Sequence, residues 1–280
     1  MPVSVDLLRK RDLLDADLRS LGRILIAYSG GTDSAFLAWA AHQAMREDML
    51  AVIADSPSLA RFQLEDAITF AREQSIPLEI IQTEELARPE YVRNDASRCF
   101  HCKDELFLVM EQFAADNHFQ TIAYGVNLDD KSDFRPGQAA ARQHRVAAPL
   151  LNAQLSKTEI RILAREAGLR IWDKPASACL SSRIEYGREV TPEALSAVER
   201  GEDALRQLGF RQFRVRHHGE IARIEIARDE MPRALTSEMA AEFTGIFKRL
   251  GFKFVTLDLE GFRSGSMNAL LPAEKITRAG

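Results

Sequence analysis

Residues 23–45 read RILIAYSGGTDSAFLAWAAHQAM, and this stretch decides the fold. Its first six residues, 23–28, form a short apolar run that stops at a turn signal, the pattern of a strand buried on both faces. Residues 33–45 are apolar almost all round, so they read as a helix packed inside the molecule. Between them lie Ser29, Gly30, Gly31, Thr32, Asp33 and Ser34. Two glycines let the backbone turn tightly and approach a ligand. The free amides of a helix start, with the dipole behind them, favour an anion. Ser29, Thr32 and Ser34 add hydroxyl donors. The stretch is therefore a strand, an anion-binding loop and a helix. It matches neither GxxxxGK[ST] nor GxGxxG.

Outward from this unit the same alternation continues. LAVIAD (50–55), LEIIQT (78–83) and TIAYG (121–125) read as further strands. Residues 59–74 and 103–117 read as helices, and Ser156–Ala167 opens with S-x-x-E, a capping box. Strands alternating with helices imply βαβ units and a parallel sheet. The run 168–190, GLRIWDKPASACLSSRIEYGREV, is rich in turn formers and without a clean period, so it reads as a loop leaving the first domain. Beyond it the order is helix (191–208), strand (211–217), strand (220–228), helix (231–250) and strand (253–259). The expectation is an α/β domain over 1–170, an interdomain loop over 171–189 and a smaller α+β domain over 190–280. Phe213, Val215, Ile224 and Ile226 share one strand face, and Arg214, Arg216, Arg223 and Glu225 the other. The first 20 residues pattern as an amphipathic helix through Leu7, Leu8, Leu14 and Leu18.

The chain has 280 residues, 46% hydrophobic and 28% charged, which is ordinary globular usage. Its apolar runs are far shorter than the roughly 20 residues of a membrane-spanning helix. The first residues lack the apolar core of a signal peptide, so a cytoplasmic location is expected. With 37 basic and 41 acidic residues the net charge is −4, which gives no global reason to bind nucleic acid.

Two further segments carry chemistry. The run 121–137, TIAYGVNLDDKSDFRPG, follows a strand, and ligands bind at the carboxyl edge of an open α/β sheet. Its carboxylates, Asp129, Asp130 and Asp133, suit Mg²⁺ together with nucleotide phosphates, and Arg135 suits a phosphate. The second feature is the set of three cysteines, Cys99, Cys102 and Cys179. An odd count in a reducing compartment points to metal or thiol chemistry rather than disulfides. Cys99 and Cys102 form C-x-x-C just before a helix, where a thiolate is favoured. The pair alone fits a redox couple, a zinc half-site or a cluster half-site. A Cys₃His zinc site would have to recruit His217 or His218. Three thiolates would hold a [4Fe–4S] cluster with one iron lacking a protein ligand.

The loop S-G-G-x-D-S resembles the PP-loop of ATP pyrophosphatases, a Rossmann-like α/β fold of the adenine nucleotide alpha hydrolase type. SGGTDS, RCFHCK, YGVNLDDKSDFRPG, KPASACLSSRIEYG, RVRHHGEIARIEI and GFRSGSMN together resemble the LarE sulfur transferases, over about residues 20–270. That family works in making the nickel-pincer nucleotide cofactor of lactate racemase. The resemblance implies that ATP adenylates a carboxylate of pyridinium-3,5-biscarboxylic acid mononucleotide and releases pyrophosphate. Sulfur then displaces AMP, and two rounds give the bis-thiocarboxylate. Members with one cysteine, matching Cys179 by motif, sacrifice it. Members with three hold an oxygen-labile [4Fe–4S] cluster, and this chain has all three.

On this resemblance Ser29–Ser34 cradle the ATP phosphates and Asp33 holds Mg²⁺. Gly125 and Asn127 border adenine or ribose, with Asp130 and Arg135 nearby. Lys103 stabilises charge on the phosphates or acyl oxygen. Arg183 holds a substrate phosphate or forms a structural ion pair. The face carrying Arg214 and Arg216 is a solvated strand face, a subunit interface or a seat for the mononucleotide phosphate. Expected partners are the small mononucleotide, a sulfide or persulfide donor and further copies of the chain, with a hexamer implied by the resemblance, but no membrane. Three rivals compete: a tRNA thiolase, which needs a basic surface; an ammonia-using ligase, which needs no cysteines; and a regulator without turnover.

Overall fold

Strand β1, Ile24–Ala27, is buried at every residue and lies in the middle of a four-stranded parallel sheet of order β3-β2-β1-β4. The computed structural model describes residues 4–132, 136–175 and 178–263. In chain order the first elements are α1 (Val5–Ser20), β1, α2 (Thr32–Met45), β2 (Met49–Asp55), α3 (Arg61–Glu73) and β3 (Leu78–Gln82). Then come α4 (Pro89–Val92), α5 (Arg98–Asp116), β4 (Thr121–Tyr124), α6 (Pro136–Gln143), α7 (Pro149–Asn152) and α8 (Lys157–Glu166). After them follow α9 (Pro192–Gln207), β5 (Phe213–His218), β6 (Ile221–Ile226), α10 (Met231–Ala234), α11 (Ser237–Arg249) and β7 (Phe254–Leu257).

The described residues divide into two compact units, one formed by 4–85, 99–132 and 136–175, the other by 86–98 and 178–263. In the first, alternate residues of β1 feed two cores. Ile24 and Ile26 pack with α1, α2, α3 and α8 through Leu14, Leu18, Phe36, Leu37, Phe70 and Ile160. Leu25 and Ala27 pack with α5 and α6 through Phe107, Met110 and Ala140. Helices thus cover both faces of the sheet at β1 and β2, which is why these two strands read as continuous apolar runs, whereas the edge strand β3 exposes Glu79 and Ile80. Helix α1 buries Leu7, Leu14 and Leu18, whereas Leu8 is half exposed. Ser156 caps α8 and Glu159 returns the bond to the Ser156 amide, so the capping box is present.

The second unit holds an antiparallel hairpin, β5–β6, with β7 added parallel to β6. Phe213, Val215, Ile224 and Ile226 enter its core with Phe243 and Phe247 of α11. Arg214 opposes Glu225 and Arg216 opposes Arg223, on the other face. The helix expected over 231–250 is interrupted: α10 stops at Ala234, and the Thr236 hydroxyl accepts from the Met239 amide to start α11.

Candidate functional site

The loop after β1 lies at the point where the connections diverge, because β1 pairs with β2 on one side and β4 on the other. In open α/β sheets that divergence leaves a crevice for a ligand. Gly30 has φ +70°, and a Cβ there would meet the Ala67 Cβ at 2.6 Å. Gly125, at the end of β4, is equally constrained: a Cβ would stand 2.8 Å from the Ser34 amide nitrogen. Glycine at these two positions lets the loop close onto α3 and lets β4 approach the start of α2.

Within the loop, the Ser29 and Ser34 hydroxyls lie 2.9 Å apart, and Ser34 Oγ donates to the Gly31 carbonyl at 3.1 Å. Thr32 Oγ1 donates to the Ile171 carbonyl at 3.0 Å, so this hydroxyl holds the chain at 170–174 rather than standing open. Gly31, which precedes α2, makes no side-chain cap at the helix start. Asn127 is fully buried, and its Nδ2 donates to Asp33 Oδ2 at 3.1 Å. Asp130 Oδ2 accepts the Asn127 amide at 3.2 Å, while Lys157 Nζ lies 3.2 Å from its Oδ1. The structure thus brings Ser29–Ser34, Gly125, Asn127 and Asp130 together. Arg135 and Asp133 lie outside the described residues. Asp33, an oxygen donor oriented by Asn127 at the loop, suits Mg²⁺ by chemistry.

Cys99 and Cys102 sit inside the first turns of α5, not just before it, because the helix starts five residues earlier than its apolar pattern. Asp95 makes that start: its carboxylate accepts the Ser97 amide at 2.7 Å, and its carbonyl accepts the Arg98 amide at 3.1 Å. Spacing of i and i+3 puts the two thiols on one helix face. Cys99 is exposed and Cys102 half-buried. Lys103 lies beside them, and a Cβ on Gly137 would meet its Cγ at 2.9 Å. Among the described residues no three His, Cys, Asp or Glu side chains gather as a metal cage. The soft thiolate donors nonetheless match iron–sulfur chemistry.

Cys179 precedes a short turn, Leu180–Arg183, in the second unit. Its Sγ lies 3.0 Å from the Ser181 hydroxyl. Burial by itself pushes this thiol up. The Arg98 guanidinium, the Ser181 hydroxyl, Arg183 and the Ser182 amide outweigh it and bring the thiol below its ordinary range. Arg98, the residue before Cys99, donates to the Ser181 carbonyl at 2.9 Å. Arg183 is 1% exposed. It engages both oxygens of Glu202 at 3.0 and 3.2 Å and the carbonyls of Ala178 and Cys179 at 2.6 and 2.9 Å. These contacts describe an ion pair that braces the Cys179 turn.

On the hairpin, Arg216 and Arg223 both bond Glu225, at 2.8 and 3.1 Å. Burial, then the charge of Arg183, lowers Arg214 to about 10, and its guanidinium lies 5.1 Å from the Phe262 ring centre. His218 pairs with Glu185 at 3.2 Å, and His217 Nδ1 accepts the Gly219 amide at 3.3 Å. Sequence reasoning missed Lys174, whose Nζ donates to the Gly30 carbonyl at 2.8 Å and pairs with Asp66. The separation of 144 positions between Lys174 and Gly30 leaves no local signal for that bond.

The chain is 42% identical over 251 residues to an uncharacterised protein of Synechocystis sp., covering 90% of this chain and 94% of that one. It is 29% identical over 242 residues to an uncharacterised protein of Methanocaldococcus jannaschii, covering 86% and 91%. No family model matches. Over 266 residues it is 33% identical to the pyridinium-3,5-bisthiocarboxylic acid mononucleotide synthase of Lactiplantibacillus plantarum, covering 94% of this chain and 95% of that protein. The glycine loop at the head of a parallel sheet and this near full-length match give one conclusion: the chain belongs to the LarE family.

Proposed function

We propose that this chain is an ATP-dependent sulfurtransferase acting on pyridinium-3,5-biscarboxylic acid mononucleotide. The observation that carries the reading is the capless glycine loop at the divergence of the parallel sheet, in a chain of the LarE family. A carboxylate is a poor acyl donor, so its oxygen attacks the α-phosphorus of ATP. The α–β bridging bond breaks and its electron pair leaves with pyrophosphate. A sulfur nucleophile then adds to the acyl carbon, AMP departs with the C–O pair, and a thiocarboxylate remains. A second round converts the other carboxylate.

The loop amides and the Ser29 and Ser34 hydroxyls bind phosphate oxygens, and Asp33 would hold Mg²⁺. Gly125 and Asn127 line the nucleoside side, with Asp130 fixing the turn after β4 and Arg135 reaching a phosphate. Lys103 offsets negative charge developing on the phosphates or acyl oxygen. Arg214 and Arg216 seat the mononucleotide phosphate, and the 190–280 region serves substrate binding and contacts between copies. Cys99, Cys102 and Cys179 would hold a [4Fe–4S] cluster. When bound, such a cluster supplies labile sulfide from an iron without a protein ligand.

A second sulfur source is favoured by the surroundings of Cys179, which lower its thiol within its own unit. Here the thiolate attacks the acyl adenylate and AMP leaves. Loss of the Cys179 α-proton to a base then breaks the Cβ–S bond, giving dehydroalanine and the thiocarboxylate. The test is anaerobic incubation with ATP, Mg²⁺ and the mononucleotide, following pyrophosphate, AMP and product mass. The expected product carries one sulfur in place of one oxygen per round. No pyrophosphate release with this substrate overturns the reading. Protein mass after reaction separates the sources, since only the second removes H₂S from Cys179.

A further inference from the structure

The segment after α8, residues 170–174, crosses the phosphate loop and is fastened from several sides. Thr32 bonds the Ile171 carbonyl, and Arg161 donates to the carbonyls of Trp172 and Lys174, each at 2.7 Å. Arg170 bonds Asp66 at 2.6 Å and Glu73 at 2.8 Å. The same Asp66 receives Lys174, whose side chain is 18% exposed and whose ammonium also holds the Gly30 carbonyl. Asp66 belongs to α3, the helix against which Gly30 closes.

We propose that Lys174 is a positioning residue of the nucleotide site: by holding the Gly30 carbonyl it keeps the Gly30–Gly31 peptide turned with its N–H toward the triphosphate. A trans peptide points its carbonyl and its N–H in opposite directions. Fixing one therefore fixes the other. This peptide is flanked by two glycines, so no Cβ on either side resists its rotation. A rotated peptide presents a carbonyl dipole where a phosphate oxygen must sit, in place of a donor. Lys174 supplies the restraint that the sequence of the loop lacks. Asp66 keeps the ammonium at that place and balances its charge. The role rests on the loop being the ATP site, as proposed above.

The test is calorimetric titration of the full chain with ATP and Mg²⁺, alongside thermal melts, for the wild type, Lys174→Met, Lys174→Gln and Asp66→Asn. Loss of a bond from a charged donor corresponds to about tenfold weaker ATP binding in Lys174→Met. Lys174→Gln keeps a donor for the Gly30 carbonyl and retains ATP affinity within about threefold. Asp66→Asn loosens the hold on the ammonium, so it lowers the melting temperature and weakens ATP binding by a smaller factor, about threefold. A Lys174→Met protein that melts earlier but binds ATP like the wild type overturns the inference and leaves a structural ion pair. If that variant does not fold, Lys174→Leu takes its place: a loss of about tenfold in ATP affinity in a folded protein supports the role, and wild-type affinity overturns it. A wild type that does not bind ATP overturns the reading of the loop itself, a separate result from failure of the variants.

Discussion

Gly125 shows how one residue ties the sheet to the site. Its missing Cβ is what lets the end of β4 touch the first turn of α2, where the Ser34 amide lies. Gly125→Ala pushes these apart, and the expected outcome is a loss of ATP affinity of at least about tenfold, read by calorimetry, with the far-ultraviolet circular dichroism unchanged. Arg183 shows the opposite case, a charge engaged entirely by protein. Removing its partner by Glu202→Ala leaves a buried guanidinium without its carboxylate. That costs about 3–5 kcal/mol, measured by urea unfolding. A loss below about 1 kcal/mol would mean that water reaches Arg183. The glycines of the loop were legible in the sequence because their conformational freedom is a property of the residue. The Arg183 pair was legible only as one of two roles, because Glu202 sits 19 residues on, and nothing local aims the guanidinium at it.

At the scale of elements, α5 and α6 are joined by a charged clamp that no motif announced. His144, just past α6, lies 3.0 Å from Asp104 and 3.0 Å from Glu111, both on α5. Burial lowers the His144 pKa, but the hydrogen bonds and charges of Asp104 and Glu111 outweigh it, and the net shift is upward. A group raised in the folded state adds stability that is complete below its unfolded pKa and is lost as the pH rises through its folded value. The stability gap between wild type and His144→Gln is therefore widest in mild acid and narrows above neutrality, measured by urea unfolding at stepped pH. A gap that stays constant with pH contradicts the clamp. Periodicity located α5 from its apolar face and so began it at Lys103. The true start is made by polar bonds from Asp95, which carry no period. The same limit explains the break before α11, where Thr236 caps a helix inside a stretch whose apolar pattern runs on.

On the scale of the whole molecule, the first half was legible because the strands covered on both faces, β1 and β2, are written as nearly unbroken apolar runs. The hairpin was legible because its two faces alternate. What could not be read is the chain path that places residues 86–98 with the C-terminal unit, where Asn94 bonds the carbonyls of Ile184 and Glu185. Nor could Lys174 be connected to Gly30. Both depend on contacts made after folding has brought distant segments together. Among the described residues no helix is long and apolar enough to cross a membrane. On the proposed function, the loop after β1 serves attack of a substrate carboxylate on the α-phosphorus of ATP. The most direct measurement uses pyridinium-3,5-biscarboxylic acid mononucleotide labelled with heavy oxygen in its carboxylates, and follows the label by mass spectrometry of the nucleotide products. Adenylation followed by displacement carries one labelled oxygen into AMP for each carboxylate converted. Label in inorganic phosphate alongside ADP, or AMP without label, would contradict the account.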